Sequence, residues 1–258
     1  MNKSAALTLI AVSSALLPVA GYAECDVRSG PRTAALIELY TSEGCSSCPP
    51  ADRQLSDLKQ ALEAQAVAVP LALHVGYWDY IGWKDPYAQA AFGERQTRLA
   101  SINRSNAVYT PEFFVNGAEL RWWRGGLRDT VRSINARPAR ASIRVRARVA
   151  PTGTLALHAE AKADQGSEPA ALYVALAESG LSSKVTRGEN SGATLSHDHV
   201  VRRWIGPVRL TDGAARVQRE IPLAATWRRD RLELAAFVQG ERTGQVLQAL
   251  SAPQCAGS

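Results

Sequence analysis

Residues 34–52 read AALIELYTSEGCSSCPPAD, and this stretch decides the fold of the first half of the chain. Its apolar run over 34–40 predicts a buried strand, because short apolar runs bounded by turn residues are typical of strands packed on both faces. After the turn, leucines recur at helical spacing and predict a helix over about 48–64. Cys45 and Cys48 therefore lie where a strand, a tight turn and a helix start meet.

A Cys-x-x-Cys pair at a helix start is the chemical design of a dithiol redox site. The unpaired N–H groups and the positive end of the helix stabilise a thiolate, which lowers the pKa of the cysteine that faces solvent. The second cysteine lies one turn further in and can attack a mixed disulfide to release the partner. We predict that Cys45 is the nucleophile and Cys48 the resolving thiol of a catalytic pair.

The sequence continues to alternate between strands and helices. An apolar run over 67–75 predicts a second strand, and residues 89–104 predict a second helix. Residues 108–115 read VYTPEFFV and precede Asn116-Gly117, the strongest short signal for a β-hairpin. A last helix runs to about residue 135. The predicted order is β-α-β-α-β-β-α, an α/β class.

The helical period is lost after residue 139. Residues 143–149 alternate apolar residues with arginine, which predicts a half-buried strand. Further strand-like runs lie near residues 153–162, 170–178, 198–209, 214–222, 231–239 and 244–250. Short strands at regular spacing predict an all-β sandwich. We therefore expect two domains, 24–138 and 139–258, joined by a linker around Pro138.

The first 23 residues have the composition of a secretory signal peptide. A basic head over 1–3 precedes an apolar core over 5–17, and Gly21 and Ala23 fit a signal-peptidase site. The core is shorter than the roughly 20 residues that a transmembrane helix needs, and no later segment is long and apolar enough. We expect removal of residues 1–23 and a periplasmic or secreted protein without a transmembrane segment.

Export changes how the four cysteines are interpreted. In an oxidising compartment the economical pairing joins Cys45 to Cys48 and Cys25 to Cys255. The first bond is then functional, and the second is a structural disulfide between the two ends of the chain. The alternative leaves Cys25 and Cys255 free in flexible tails.

The dithiol and the Thr110-Pro111 segment resemble the thioredoxin-like superfamily, whose glutaredoxin-type minimal topology is similar to the predicted element order. In that superfamily the proline packs against the dithiol and the backbone before it pairs with bound polypeptide. The resemblance therefore implies supporting roles for Thr110 and Pro111. Thioredoxins also use a buried acid as proton acceptor, and Glu38 is the nearest match, displaced by one residue. Ser46-Ser47 replaces their usual Gly-Pro, so no redox potential carries over.

Three longer strings narrow the resemblance. They are ELYTSEGCSSCPPAD over 38–52, WDYIGWKDP over 78–86 and RGENSGATLSHDHVVR over 187–202. Together they resemble a family of secreted bacterial proteins of unknown function, over nearly the whole chain after the signal peptide. The aromatic loop 78–87 is an insertion relative to thioredoxin, and it forms either a lid beside the dithiol or a contact with the β-sandwich.

These patterns predict an exported thiol–disulfide oxidoreductase that needs no cofactor and acts on a protein thiol or disulfide. The alternative is a binding or copper-delivery protein, in which the dithiol is structural or holds metal together with His74. Copper chaperones with this fold generally place three residues between their cysteines, so we expect no metal. His197 and His199 fall on one face of a predicted strand and are interpreted as structural.

Composition and charge exclude several other classes. The chain has 258 residues, of which 46% are hydrophobic and 21% charged, so disordered, collagen-like and coiled-coil proteins are excluded. Basic residues number 30 against 24 acidic ones. No arginine cluster alternates with aromatic residues, as a nucleic-acid surface would require. We expect no nucleic-acid partner.

Overall fold

The computed structural model of the protein describes residues 25–253 and residue 255. This part of the chain contains an eight-stranded mixed sheet, a four-stranded antiparallel sheet, a two-stranded hairpin and four α-helices. The predicted signal peptide, residues 1–23, lies outside the described residues.

The first half supplies five strands and all four α-helices of the described chain. They are β1 (Cys25–Arg28), β2 (Ala35–Thr41), α1 (Pro49–Ser56), α2 (Leu58–Ala61), β3 (Ala68–His74), α3 (Ala90–Ile102), β4 (Glu112–Val115), β5 (Ala118–Glu119) and α4 (Trp123–Asn135). A 3₁₀ helix, Gly76–Ile81, follows β3. The helix predicted over 48–64 is shorter and is broken at Asp57, which separates α1 from α2.

The second half supplies nine strands. They are β6 (Ala141–Val149), β7 (Thr154–Ala163), β8 (Ala170–Glu178), β9 (Leu181–Lys184), β10 (Thr194–His197), β11 (Val200–Arg209), β12 (Ala214–Pro222), β13 (Leu232–Gly240) and β14 (Val246–Ala252). Alternation is clearest in β7, where every second residue from Leu155 to Ala161 is buried. This pattern places one face of the strand on a core.

The eight-stranded sheet contains strands from both halves of the chain, in the order β14-β13-β8-β11-β3-β2-β4-β5. The two halves meet where β11 lies parallel to β3, with Val200 opposite Ala72. The Ala72 N–H donates to the His199 carbonyl at 2.8 Å across this junction. The sheet therefore extends across the predicted domain boundary between residues 138 and 139.

Both faces of this sheet are covered. On one face, α1 and α4 pack over β2, β3 and β4, and the four-stranded sheet β1-β6-β7-β12 packs over β8, β13 and β14. On the other face, Phe92 and Leu99 of α3 join a core that includes Tyr173 and Phe237. The dithiol turn lies at the end of β2, on the edge from which the loops after β2 and β3 leave the sheet.

The segment predicted as a linker forms backbone hydrogen bonds with the residues between β1 and β2. The Ala139 N–H donates to the Pro31 carbonyl at 3.0 Å, and the Thr33 N–H donates to the Arg137 carbonyl at 3.0 Å. The Cys25–Cys255 disulfide is formed, with the two Cα atoms 5.1 Å apart. Because β1 pairs with β6, Cys25 lies in the four-stranded sheet of the second half.

Candidate functional site

The turn over residues 42–48 carries both free thiols. The Cys45 N–H donates to the Ser42 carbonyl at 3.1 Å, and the Cys48 N–H donates to the Cys45 carbonyl at 3.1 Å. Cys48 is the N-cap of α1, and prolines fill the first two helical positions. A missing N–H is tolerated there because those groups have no partner within the helix. The two thiols thus lie together at the start of α1.

The two thiols have opposite acidities. The pKa of Cys45 is lowered to about 7, chiefly by a hydrogen bond from the Cys48 thiol, which outweighs the opposing effect of burial. The Thr110 side chain and the backbone N–H groups of Ser47 and Cys48 lower the pKa further. Burial, followed by the hydrogen bond to Cys45, raises the pKa of Cys48 far above its ordinary value. Near neutral pH one sulfur is therefore available as thiolate, while the other keeps its proton.

The Thr110-Pro111 segment faces this pair from the start of β4. The Thr110 carbonyl oxygen lies 3.7 Å from the Cys45 sulfur, and the Thr110–Pro111 peptide bond is cis. The Thr110 hydroxyl accepts the indole N–H of Trp78 at 2.7 Å. The structure therefore brings the predicted residues Cys45, Cys48, Thr110 and Pro111 into one place.

Glu38 lies elsewhere, in the middle of β2. Its carboxylate accepts two hydrogen bonds from Arg95, at 2.6 and 2.9 Å, and the guanidinium also donates to Gln239 at 2.9 Å. Tyr40 donates to the same carboxylate at 3.3 Å. These contacts engage Glu38 in a buried ion pair between α3, β2 and β13.

A cluster of buried polar side chains adjoins the dithiol turn. His74 Nδ1 lies 2.8 Å from an Asp85 oxygen, which also accepts the Glu43 N–H at 2.9 Å. The Glu43 carboxylate lies 3.1 Å from His197 Nε2, and His197 Nδ1 lies 3.8 Å from Asp52. Burial raises the pKa of Asp52. The cluster therefore places a carboxyl of raised proton affinity on α1, one turn after Cys48.

His74 is part of this cluster and pairs with a carboxylate. Burial opposes its charge, but the Asp85 carboxylate raises the pKa of His74 above its ordinary value. Over residues 25–253 and 255, no group of three or more His, Cys, Asp or Glu is arranged to hold a metal ion. The copper ligand set of Cys45, Cys48 and His74 therefore has no support from the geometry.

The prediction that His197 and His199 lie on one face of a strand is wrong. Strand β10 ends at His197, and His199 adopts a left-handed backbone with φ of 59° before β11 begins. Its imidazole bonds to Glu233, whereas His197 turns into the polar cluster. A turn separates the two residues, so the alternation of a strand does not apply to them.

The aromatic loop after β3 contacts both the dithiol turn and the second half of the chain. A Cβ added to Gly44 would lie 3.0 Å from the Trp78 Cβ, so the loop packs directly on the turn. Trp83 donates its indole N–H to the Glu43 carboxylate at 2.8 Å. Tyr87 accepts a hydrogen bond from Ser183 of β9 at 3.2 Å. The loop therefore lies beside the dithiol turn and also contacts β9 of the second half.

The loop between β9 and β10, residues 185–193, also reaches the dithiol turn and packs against Ile81 of the aromatic loop. Asn190 donates its amide to the carbonyls of Glu43 and Cys45, at 2.8 and 3.0 Å. The Ser46 N–H donates to Glu189 at 2.9 Å. No spacing or periodicity in the sequence predicts a role for these residues, or for Glu43, Asp52 and Asp85. All of them fall within the three strings that carry the family resemblance.

A family model described as "Protein of unknown function (DUF1223)" matches residues 36–239, which is more than half of the chain. The chain belongs to this family. This agrees with the resemblance to a family of unknown function. The match runs from β2 to β13 and so includes the dithiol turn, the aromatic loop and the 185–193 loop. A comparison with curated proteins finds no match.

Two solved structures have the same overall fold as this chain. Protein AGR_C_4864 from Agrobacterium tumefaciens is 22% identical, with a TM-score of 0.63, over 89% of this chain and 97% of its own. HBP35 of Porphyromonas gingivalis is 15% identical, with a TM-score of 0.67, over 87% of this chain and 76% of its own. At these identities the similarity concerns the fold alone.

The helices are short relative to a membrane. The longest α-helices, α3 and α4, have 13 residues each, and no helix in the described part of the chain is long and apolar enough to cross a bilayer.

Proposed function

We propose that this protein is a thiol–disulfide oxidoreductase that uses Cys45 and Cys48. The observation that carries the proposal is the pair of free thiols at the start of α1, with the pKa of Cys45 lowered to about 7 and that of Cys48 raised. The order of elements over residues 35–135 supports a thioredoxin-like assignment for this half of the chain. The composition of residues 1–23 supports export to an oxidising compartment.

The reaction proceeds in two thiol–disulfide exchange steps. The Cys45 thiolate attacks a disulfide of the partner protein, so that a mixed disulfide forms and the first partner sulfur leaves as thiolate. Cys48 then loses its proton and attacks the Cys45 sulfur, which forms the Cys45–Cys48 disulfide and releases the second partner sulfur. Two electrons pass from the dithiol to the partner. The reverse sequence starts from the Cys45–Cys48 disulfide and oxidises a partner dithiol.

Asp52 is our candidate for the acceptor of the Cys48 proton. It lies four residues after Cys48 on α1, and its negative charge is among the causes that raise the pKa of Cys48. Burial raises its own pKa, which makes its carboxylate a better base. His197 stands beside it as the next group in the cluster. Glu38, the candidate from the sequence, is engaged by Arg95.

The test is reduction of insulin disulfides by dithiothreitol in the presence of the protein. We expect catalysis by the wild type, loss of catalysis in Cys45→Ser, and accumulation of a mixed disulfide in Cys48→Ser. Ser56→Ala, which changes another residue of α1, serves as the matched control and should retain wild-type activity. Equal activity in Cys45→Ser and the wild type would overturn the proposal.

A further inference from the structure

We propose that the 185–193 loop is a cover over Cys45, and that a partner polypeptide displaces it before its own sulfur reaches the thiolate. The part of the inference that concerns a partner polypeptide rests on the proposed function. The contacts that carry it do not depend on catalysis.

The cover binds the backbone on both sides of the nucleophile. The Asn190 amide donates hydrogen bonds to the carbonyl oxygens of Glu43 and Cys45, and the Glu189 carboxylate accepts one from the Ser46 N–H. Cys45 is 1% exposed, although Ser46, the next residue, is exposed. The polar backbone groups that a bound partner would use beside Cys45 are therefore already engaged by side chains of one loop.

The construction of the loop allows its tip, residues 186–192, to lift while its buried first residue, Val185, stays in place. It is closed by its own bonds, from the Val185 N–H to the Ala193 carbonyl and from the Gly192 N–H to the Val185 carbonyl, both at 2.9 Å. Strands β9 and β10 pair with each other and, within the described residues, with no other strand. Lifting the tip therefore breaks no ladder of the larger sheets.

The base of the hairpin is fixed, while in the tip Asn190 is half-buried and Glu189 is exposed. Val185 is fully buried, and His197 at the far end bonds to Glu43 inside the protein. Glu189, by contrast, is an exposed side chain. Hydrogen bonds made by exposed groups contribute little net free energy, because water replaces them when they break. The tip is therefore the part of the hairpin that opens most readily.

The contacts of the cover specify the chemistry of what replaces it. Opening leaves one backbone donor, the Ser46 N–H, and two backbone acceptors, the carbonyls of Glu43 and Cys45. An extended polypeptide offers both carbonyl and N–H groups along its backbone, so it can satisfy all three. A small oxidant cannot do so. The cover thus favours polypeptide partners and shields the thiolate from small reagents.

The experiment measures how fast iodoacetamide alkylates Cys45, by mass spectrometry, in the Cys48→Ser background in which Cys45 is the sole free thiol. We expect Asn190→Ala to increase the rate about tenfold, corresponding to about 1.4 kcal/mol of easier opening. Glu189→Ala should increase it by a smaller factor, because it removes one bond instead of two. Ser196→Ala, an exposed position on β10, is the matched control and should leave the rate unchanged.

Equal alkylation rates in Asn190→Ala, Glu189→Ala and the parent protein would overturn the proposal that the 185–193 loop covers Cys45. Circular dichroism confirms that each variant is folded. A second measurement uses the parent protein alone, with a small and a bulky alkylating reagent, each compared with its rate on a Cys-Ser-Ser-Ser peptide. Opening of a cover slows both reagents by the same factor, whereas a narrow channel slows only the bulky one. Because no turnover is measured, failure here is separate from failure of the insulin assay.

Discussion

At the scale of single residues, the two cysteines differ because of what surrounds each sulfur. Cys45 accepts hydrogen bonds from the Cys48 thiol and from backbone N–H groups of the turn, and these bonds favour its charged form. Cys48 sits deeper, where burial penalises a charge, and the nearby Asp52 carboxylate adds to that penalty. The Cys-x-x-Cys spacing predicts this division of roles and supplies most of the groups that cause it, whereas Thr110 and the burial of Cys48 come from the tertiary structure.

A first prediction concerns the donor that activates Cys45. Thiolate is the reactive form, so the alkylation rate of Cys45 should rise with pH through a midpoint near 7 in the wild type. Cys48→Ala removes the largest cause of the lowered pKa, so its midpoint should move up toward the ordinary value of 9.0.

Cys48→Ser is the control for that shift, because its hydroxyl can still donate to the Cys45 sulfur. Its midpoint should stay closer to the wild-type value than that of Cys48→Ala. The measurement is the iodoacetamide rate between pH 5 and about 10, a range that spans both values. Identical midpoints in Cys48→Ala and Cys48→Ser would show that the thiol–thiol hydrogen bond is not what activates Cys45.

At the scale of helices and strands, the apolar patterns of the first half agree with the observed elements to within a few residues, except in the region of α1 and α2 and at β1, which no pattern predicts. Long alternating strands such as β6 and β7 also agree closely with their predicted positions. The hairpin β9–β10 is absent from the sequence analysis, since each strand has only four residues and alternates too briefly to be recognised. That hairpin carries the cover, so this missed element matters for the site.

A second prediction compares two glycines, Gly93 in helix α3 and Gly188 in the 185–193 loop. Gly93 lies within α3, and a Cβ there would meet nothing within 4 Å, so Gly93→Ala should raise the free energy of unfolding. The expected gain is about 0.5–1 kcal/mol, because alanine loses less backbone entropy in a helix.

Gly188 in the cover should respond in the opposite direction. Its φ is +75°, and a Cβ would lie 3.0 Å from the Ile81 side chain. Gly188→Ala should therefore lower the free energy of unfolding by about 1 kcal/mol or more, through the left-handed backbone alone. Urea unfolding of both variants beside the wild type checks the pair. A stabilising Gly188→Ala would contradict the close packing between the cover and the aromatic loop.

At the scale of the whole molecule, the buried Arg95 is one of the links between the two halves of the chain. Arg95 on α3 pairs with Glu38 of β2 and Gln239 of β13. Its guanidinium also lies 4.9 Å from the ring centroids of Tyr173 and Trp204. Cation–π contacts of this kind add to the ion pair when the charge is desolvated. Glu38, which the resemblance suggested as the buried proton acceptor, is therefore bound within the core of the eight-stranded sheet.

A third prediction follows for Arg95. Its removal leaves the Glu38 carboxylate buried without its partner, so Arg95→Ala should lower the free energy of unfolding by about 3–5 kcal/mol. Arg132→Ala, which removes an arginine from an exposed pair with Glu63, should produce a much smaller change. Denaturant unfolding measures both. Equal losses would contradict the role of the Glu38–Arg95 pair.

Glu38→Gln separates the structural role from a catalytic one. It should destabilise the protein, yet leave the midpoint of Cys45 alkylation near 7, because Glu38 is not among the groups that lower the pKa of Cys45. A shifted midpoint in a folded Glu38→Gln protein would show that Glu38 does act on the Cys45 thiol.

The sequence by itself determined the local features of this protein. Hydrophobic period, turn residues and cysteine spacing identify the strand before Cys45, the helix after Cys48 and the alternating strands of the second half, because each depends on neighbours within about ten residues. The tertiary structure alone decided the long-range features. The joining of β3 to β11, the pairing of Glu38 with Arg95, and the approach of His197 and Asn190 to the dithiol turn depend on how distant segments pack. No local pattern encodes that packing, since the cover lies more than 140 residues from the cysteine it protects.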